Sequence, residues 1–211
     1  MATLTLDHAF LGVQDLDAAA DRLLRDHGLA SYPGGRHVGL GTGNRVVPLG
    51  SQYMEILAVV DEEEARGSDF GRWVIDRLAG GERWLGWVLR TDDVDAVAGR
   101  LGLEPVAMSR ERPDGAAVRW RLVGFDEWMA DPQLPFFIQW DIPPDLHPGR
   151  GKAAHRRSVE GIVRVTVAGD EDRIREWTGG ADLPVEVVDG DPGVVEVAFR
   201  IDGDDVPVRP A

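Results

Sequence analysis

The stretch LDHAFLGVQDLDAAADRL, residues 6–23, decides the fold because the chain repeats it. Residues 84–101, WLGWVLRTDDVDAVAGRL, have the same pattern of an apolar run followed by an acidic helix cap, with Asp15 over Asp93. A repeat of this size indicates one supersecondary unit used twice, and such units usually stack to share a sheet. We therefore expect the function to lie between the two copies.

Each copy predicts the element order β-α-β-β-β. In the first copy, an apolar strand precedes a helix that begins at Asp15 and ends at Gly28. The glycine-punctuated run after it fits two short strands, and residues 52–60 form another. The sequence thus predicts an α+β fold with five segments: a first βαβββ module at residues 1–62, a connecting helical segment at 63–82, a second βαβββ module at 83–146, a basic linker at 147–158, and an incomplete third βαββ unit at 159–211.

Composition limits the classes of function. The 211 residues carry 23 Lys and Arg against 37 Asp and Glu, a net charge of −14, so the field of the molecule repels nucleic acid and anionic membranes. The chain has no cysteine, which excludes disulfides and thiolate metal sites. No stretch has the length of a membrane span and no signal peptide is evident, so we expect a cytoplasmic protein.

Six short motifs follow each other along the two copies: LDH at 6–8, DLDAAA at 15–20, GGRHVGLGTGN at 34–44, YMEIL at 53–57, RPDG at 112–115 and PFFIQW at 135–140. They resemble motifs of the vicinal oxygen chelate superfamily, which includes glyoxalases, bleomycin-resistance proteins and extradiol dioxygenases, and in particular those of its glyoxalase-like domains. Taken singly they are weak, but their order and spacing are fairly specific across about the first 145 residues. The resemblance implies that paired modules curl into a cup-shaped mixed sheet around a divalent metal that chelates two adjacent substrate oxygens.

The resemblance implies metal ligands on the first and last strands of each module. Carried over by position, these are His8 and Glu55 in module one, and Gly86 and Gln139 in module two. Gly86 has no side chain, and the amide of Gln139 is a poorer ligand than a carboxylate. His8, Glu55 and Gln139 remain the candidate ligands, for Zn²⁺, Fe²⁺, Mn²⁺ or Ni²⁺.

Strand alternation predicts which side chains surround these groups. If His8 faces the cup, every second residue of its strand does so too, and the same holds for the other strands. The resulting wall of aromatic and polar groups is typical of a small-molecule pocket, with an arginine to clamp a ligand oxygen. The candidate substrate-binding residues are Phe10, His37, Tyr53, Trp84, Arg119, Arg121 and Phe137.

Each candidate also has a structural interpretation. His8 can be a hydrogen-bonded core histidine, and Gln139 can bond to backbone. The arginines can pair with the abundant acids, His37 can belong to turn chemistry, and the basic linker is by default a flexible spacer. Glu55 is the strongest candidate, because a carboxylate inside YMEILAVV is costly to bury without a partner.

Three functions remain compatible with the sequence. The first, which we favour, is a metal-dependent lyase, isomerase or oxygenase acting on a small carbonyl or vicinal-oxygen substrate, with Glu55 as ligand or general base. The second is a metal-free protein that sequesters a small molecule, as bleomycin-resistance proteins do. The third is an interaction protein whose third unit pairs with another copy as a homodimer, which is compatible with either of the others.

Overall fold

The computed structural model describes residues 2–111 and 117–211, so the RPDG motif lies outside the described residues. The chain is an α+β protein, and its two βαβββ modules follow each other as expected. Module one contains β1 (Leu4–Gly12), α1 (Leu16–His27), β2 (Tyr32–His37), β3 (Thr42–Leu49) and β4 (Gln52–Val59). Module two contains β5 (Arg83–Thr91), α4 (Val94–Leu101), β6 (Val106–Glu111), β7 (Ala117–Val123), α5 (Phe125–Ala130) and β8 (Phe136–Trp140), with α2 (Glu62–Arg66) and α3 (Asp69–Leu78) connecting the modules.

The modules share one curled sheet of eight strands in the order β2-β3-β4-β1-β5-β8-β7-β6. β1 and β5 are antiparallel neighbours at its centre, and each pairs in parallel with the last strand of its own module, β4 or β8. The modules are therefore related by an approximate twofold axis between β1 and β5. The concave face of this sheet is the predicted cup.

A β-bulge interrupts each central strand. The pairing passes from Leu6 opposite Leu89 directly to His8 opposite Val88, which leaves Asp7 as the extra residue of β1. On β5 the extra residue is Leu85. A bulge reverses the alternation of side chains beyond it.

The bulge in β5 corrects the expectation for Trp84. This side chain faces away from the cup and belongs to the main core, and its Nε1 donates a hydrogen bond to the carbonyl oxygen of Val208 at 3.2 Å. Strict alternation would have directed it into the cup. Leu85 faces the cup side instead.

The C-terminal unit forms a second layer behind the cup. It contains β9 (Val159–Ala168), α6 (Glu171–Thr178), β10 (Val185–Val188), β11 (Gly193–Ile201) and β12 (Asp204–Val208). Its four strands have the order β10-β9-β11-β12, unlike that of the two modules, and include one strand more than the predicted βαββ. Buried residues of this sheet, such as Val197 and Phe199, share one core with Trp87 and Leu89 of β5.

The segment 147–158 is fixed to module one, in contrast to the flexible spacer expected. The Gly50 amide donates to the carbonyl of Gly149 at 2.8 Å, and the Arg156 amide donates to that of Gly28 at 2.9 Å. His155 adds two contacts through its ring nitrogens, to the Ala30 amide and the Pro48 carbonyl oxygen. These hydrogen bonds hold residues 147–158 in place beside the eight-stranded sheet.

Among residues 2–111 and 117–211, none of the helices combines the length and apolar character needed to cross a bilayer.

Candidate functional site

A cavity of about 610 Å³ opens on the concave face of the large sheet. This is within the usual range for pockets that bind small molecules. Module one contributes most of its polar lining, which includes His8, His37, Asn44 and Glu55. The predicted Phe10 and Tyr53 also line it, so the structure brings these five predicted site residues together with Asn44.

His8 stands at the floor of the cavity with a carboxylate behind it. Its Nδ1 lies 2.7 Å from Oδ1 of Asp7, a contact that the bulge in β1 makes possible by turning both side chains to the same side. A hydrogen bond from Nδ1–H to a carboxylate fixes the ring and directs Nε2 towards the open cavity. His8 is 3% exposed, so this nitrogen is accessible only from within the cup.

Asp7 is completely buried and accepts several hydrogen bonds. Besides His8, the Nε2 of His147 lies 3.1 Å from its Oδ2, and Nε1 of Trp140 donates to the same oxygen at 3.2 Å. Burial raises the pKa of Asp7, but the hydrogen bonds and charges of His147 and His8 outweigh it and hold the pKa well below its usual value. Asp7 is therefore a carboxylate at neutral pH, with Arg90 3.6 Å away as a further cation.

Glu55 faces His8 across the floor of the cup. Its Oε2 lies 3.8 Å from Nε2 of His8, and its Oε1 lies 3.9 Å from Nε2 of His37. Asn44 on the neighbouring β3 donates from Nδ2 to Oε1 at 2.7 Å, which fixes the carboxylate. The distance between Nε2 of His8 and Oε2 of Glu55 is longer than a hydrogen bond, so the two groups can each contact a different atom of one bound molecule.

Tyr53 completes the polar end of the cavity. Its ring stacks on His8 with centroids 4.2 Å apart, and its hydroxyl oxygen is 3.3 Å from Nε2 of His8. His37 is held at the mouth by a contact of 2.9 Å between its Nδ1 and Oγ1 of Thr42. These positions agree with the alternation predicted for β4 and with His37 near the pocket.

Module two contributes an apolar wall, which we call the aromatic lobe. Its side chains come from β6, β7, α5 and β8, and Trp120 and Trp140 are 5.6 Å apart between ring centroids. Phe125 and Phe136 meet edge to face at 5.2 Å. The lobe consists of Met108, Trp120, Leu122, Phe125, Phe136, Ile138 and Trp140.

Two predicted residues on β8 face away from the cup. The Oε1 of Gln139 accepts a hydrogen bond from the Val94 amide at 2.8 Å, at the start of α4. Phe137 belongs to the core behind the sheet, with its ring 6.1 Å from that of Trp177. The alignment of YMEIL with FIQWD is therefore wrong by three residues: Glu55 pairs with Phe10 on β1, and the corresponding residue of β5, Val88, pairs with Phe136. A shift by an odd number of residues exchanges the two faces of a strand.

The two predicted arginines are also on the outer face. On β7 the inward residues are Trp120 and Leu122, so Arg119 and Arg121 alternate with them on the other side. Arg121 pairs with Asp95 at 2.8 Å and lies 3.5 Å from Asp141, while Arg119 is exposed. The prediction that these arginines clamp a ligand oxygen is wrong. Arg121 instead follows the alternative interpretation, in which it pairs with acidic side chains.

The donors in the cup do not fit the four-ligand metal centre that the resemblance implies. His8 and Glu55 are placed as a pair, but Ile138, not Gln139, faces the cup from β8. A Cβ added at Gly86 would lie 2.5 Å from Nε1 of Trp128, so an indole on α5 fills the place of a second histidine. In the part of the chain that the structure describes, no three His, Cys, Asp or Glu side chains are grouped to hold a metal ion.

Asp7, His147 and Asn44 were missed as site residues. Asp7 is adjacent to His8, and regular alternation places neighbours on opposite faces, so only the bulge reveals its role. His147 comes from a segment that was interpreted as a linker. The one signal in the sequence was the unusual charge of Asp7 within an apolar strand.

Comparison with known proteins agrees with this architecture. The sequence model of the glyoxalase-like domain matches residues 6–180. The fold is similar to that of a hypothetical protein from Staphylococcus aureus, with a TM-score of 0.64 and 21% identity over 97% of this chain and 84% of that one. Methylmalonyl-CoA epimerase from Mycobacterium tuberculosis matches 67% of this chain and 90% of its own, with a TM-score of 0.45 and 20% identity. Curated protein sequences gave no significant match.

Proposed function

Because this chain belongs to the glyoxalase-like domain family, we propose that it is an enzyme of the vicinal oxygen chelate type that moves a proton on a small carbonyl compound bound in the cup. The membership agrees with the superfamily resemblance seen in the sequence. The single observation that supports the reaction is the opposition of Glu55 and the Asp7–His8 pair across the cavity floor, 3.8 Å apart between Oε2 and Nε2.

In the proposed reaction Glu55 is the base. Its carboxylate takes the proton from the carbon next to the carbonyl, and the electrons of the broken C–H bond move onto the carbonyl oxygen to form an enolate. Return of the proton from Glu55 to the same carbon regenerates the substrate with exchange of that proton, and its transfer to a neighbouring atom completes an isomerisation. Asn44 keeps the Glu55 carboxylate in position by its hydrogen bond to Oε1.

His8 stabilises the developing oxyanion in this scheme. Nδ1–H of His8 donates to the carboxylate of Asp7, and in this scheme Nε2–H donates to the substrate oxygen. The burial of both groups strengthens this interaction because water does not compete. Since the donors do not fit the implied metal centre, no step requires a divalent metal.

Deuterium exchange tests the reaction without knowledge of the natural substrate. The protein is incubated in D₂O with a panel of small aryl and alkyl ketones, and incorporation at the carbon next to the carbonyl is followed by NMR. We expect Glu55→Gln to slow exchange by about 100-fold or more, the usual contribution of a positioned base. Treatment with EDTA is expected to leave the rate unchanged.

Arg119→Gln is the control, because Arg119 is exposed on the outer face of β7. It is expected to retain the wild-type rate. Exchange by wild type that is no faster than by Glu55→Gln would refute the proposal.

Sequestration of a small molecule is the second candidate. It is favoured by the size of the cavity, about 610 Å³, and by its apolar lobe. Tight binding of a ketone without exchange, equal in wild type and Glu55→Gln, would favour this function over catalysis.

A further inference from the structure

The lining of the cup differs between the two modules. The polar groups His8, His37, Asn44, Tyr53 and Glu55 come from β1 to β4 of module one, and the aromatic lobe comes from module two. Module two adds three acidic residues to the lining: Glu104, Asp126 and Glu127. Among the described residues that line the cavity there is no lysine or arginine.

The polar end has no surplus positive charge for an anion. His8 already lies against the carboxylate of Asp7 and faces that of Glu55. An anionic ligand would need a cationic partner to offset its loss of hydration, and it would meet Glu55 at short range. The described lining therefore disfavours carboxylate and phosphate groups.

The aromatic lobe offers flat apolar surfaces at a fixed orientation. Trp140 is anchored by the hydrogen bond from its Nε1 to Asp7. Trp120 meets Trp140 at an interplanar angle of 51°, and both residues line the cavity and are only partly buried. Rings placed in this way pack well against a planar apolar ligand by offset or edge contacts.

From these observations we infer that the substrate is an uncharged carbonyl compound with an aromatic or similarly flat apolar body. The carbonyl lies between His8 and Glu55, and the body packs in the aromatic lobe against Trp120. The assignment of the carbonyl rests on the proposed function, whereas the selection against charge depends on the lining alone. Trp120 is thus a specificity-determining residue that takes no part in proton transfer.

Two probes of nearly the same shape test this inference. 2-Acetylnaphthalene is a neutral aryl ketone, and 2-naphthoate replaces its acetyl group by a carboxylate. Their affinities for the full-length protein are measured by calorimetric titration at neutral pH. We expect the ketone to bind at least about tenfold more tightly than naphthoate, and naphthoate affinity equal to or higher than that of the ketone would overturn the inference.

Variants of the lobe provide a second measurement. Trp120→Ala is expected to weaken ketone binding by about tenfold, and Trp120→Phe, which keeps an aromatic face, to retain it within about threefold. Unchanged binding by Trp120→Ala with its thermal melting temperature preserved would also overturn the inference. Should this variant fail to fold, the two probes on wild type still decide.

The inference and the proposed function can fail separately. Glu55→Gln is expected to bind the ketone with affinity within about threefold of wild type while losing exchange. Selective ketone binding without exchange would refute the reaction but support this inference. Deuterium exchange together with tighter binding of naphthoate than of the ketone would support the reaction and refute this inference.

Discussion

At the scale of single residues, the unusual group is the carboxylate of Asp7. It is 0% exposed and is surrounded by His8, His147 and Trp140 as hydrogen-bonding partners. A buried carboxylate is tolerated only where such partners replace its hydration. Asp7 is thus expected to contribute both to stability and to the orientation of His8.

Asp7→Asn is predicted to lower the free energy of unfolding by about 3 kcal/mol at pH 7, because the amide leaves buried donors without an acceptor. Urea denaturation measures the loss. The variant Asp191→Asn, at an exposed loop position, is the control and is expected to change stability by less than about 0.5 kcal/mol. A loss at Asp7 as small as that of the control would contradict this account.

The stability difference should depend on pH. Since the folded protein holds the pKa of Asp7 below its usual value, the contribution of its ionisation is present above the unfolded pKa of about 3.9. It is lost progressively as pH falls below that value towards the lower pKa of the folded state. We expect wild type and Asp7→Asn to differ most between pH 5 and pH 7 and to converge on acidification, and a difference that grows below pH 4 would show the sign to be wrong.

Sequence reasoning located one end of the site and missed what supports it. His8 and Glu55 could be identified because a repeat and a resemblance marked their positions, and because a carboxylate in an apolar strand needs an explanation. Asp7 is also a carboxylate in an apolar strand, but regular alternation predicts that its side chain lies on the face of the sheet opposite to that of His8. Its partner His147 is 140 residues away along the chain, a distance across which no local pattern extends.

At the scale of elements, β-bulges and strand register decide which side chains reach the cup. The bulge in β5 turns Trp84 to the back, and the register of β8 turns Phe137 and Gln139 away. The βαβββ order of the two modules was predictable from apolar periodicity and helix caps, but α5 and the last strand of the C-terminal unit, β12, were not. Register was not, because residues that follow an inserted helix such as α5 have no fixed distance from the preceding strand.

Gly86→Ala tests the packing of α5 against β5. An added Cβ would lie 2.8 Å from the Phe10 ring and closer still to Trp128, so we predict a loss of about 1–3 kcal/mol in urea denaturation. Gly99→Ala is the matched control, since no atom lies within 4 Å of its added Cβ and it is in an exposed turn of α4. There alanine should stabilise by up to about 1 kcal/mol, and destabilisation of similar size at both glycines would contradict the packing argument.

At the scale of the whole molecule, the C-terminal sheet is a structural layer behind the cup. Its core residues join those on the convex face of β1 and β5. The sequence predicted a third unit but not its position. A unit that extends the large sheet and a unit that packs behind it both need apolar strands, so the sequence pattern does not distinguish the two arrangements. The contacts with β5 resolve this ambiguity.

Phe199→Ala is predicted to cost about 3–5 kcal/mol, the usual effect of truncating a buried aromatic residue. Phe199 is 0% exposed within the shared core, whereas Val195 on the same strand is 47% exposed. Val195→Ala should therefore change stability by less than about 0.5 kcal/mol. Comparable thermal melting temperatures for the two variants would mean that the layer is not packed as described.

The unequal lining of the cup has a consequence for how the protein can diverge. Glu55 and His8 come from module one, whereas Trp120 and the rest of the aromatic lobe come from module two, so the groups proposed for proton transfer and those proposed for substrate selection are different residues on different modules. Substitutions around Trp120 can then change which molecule is accepted without disturbing Glu55. Such a scaffold is free to acquire new substrates by altering only one of its halves.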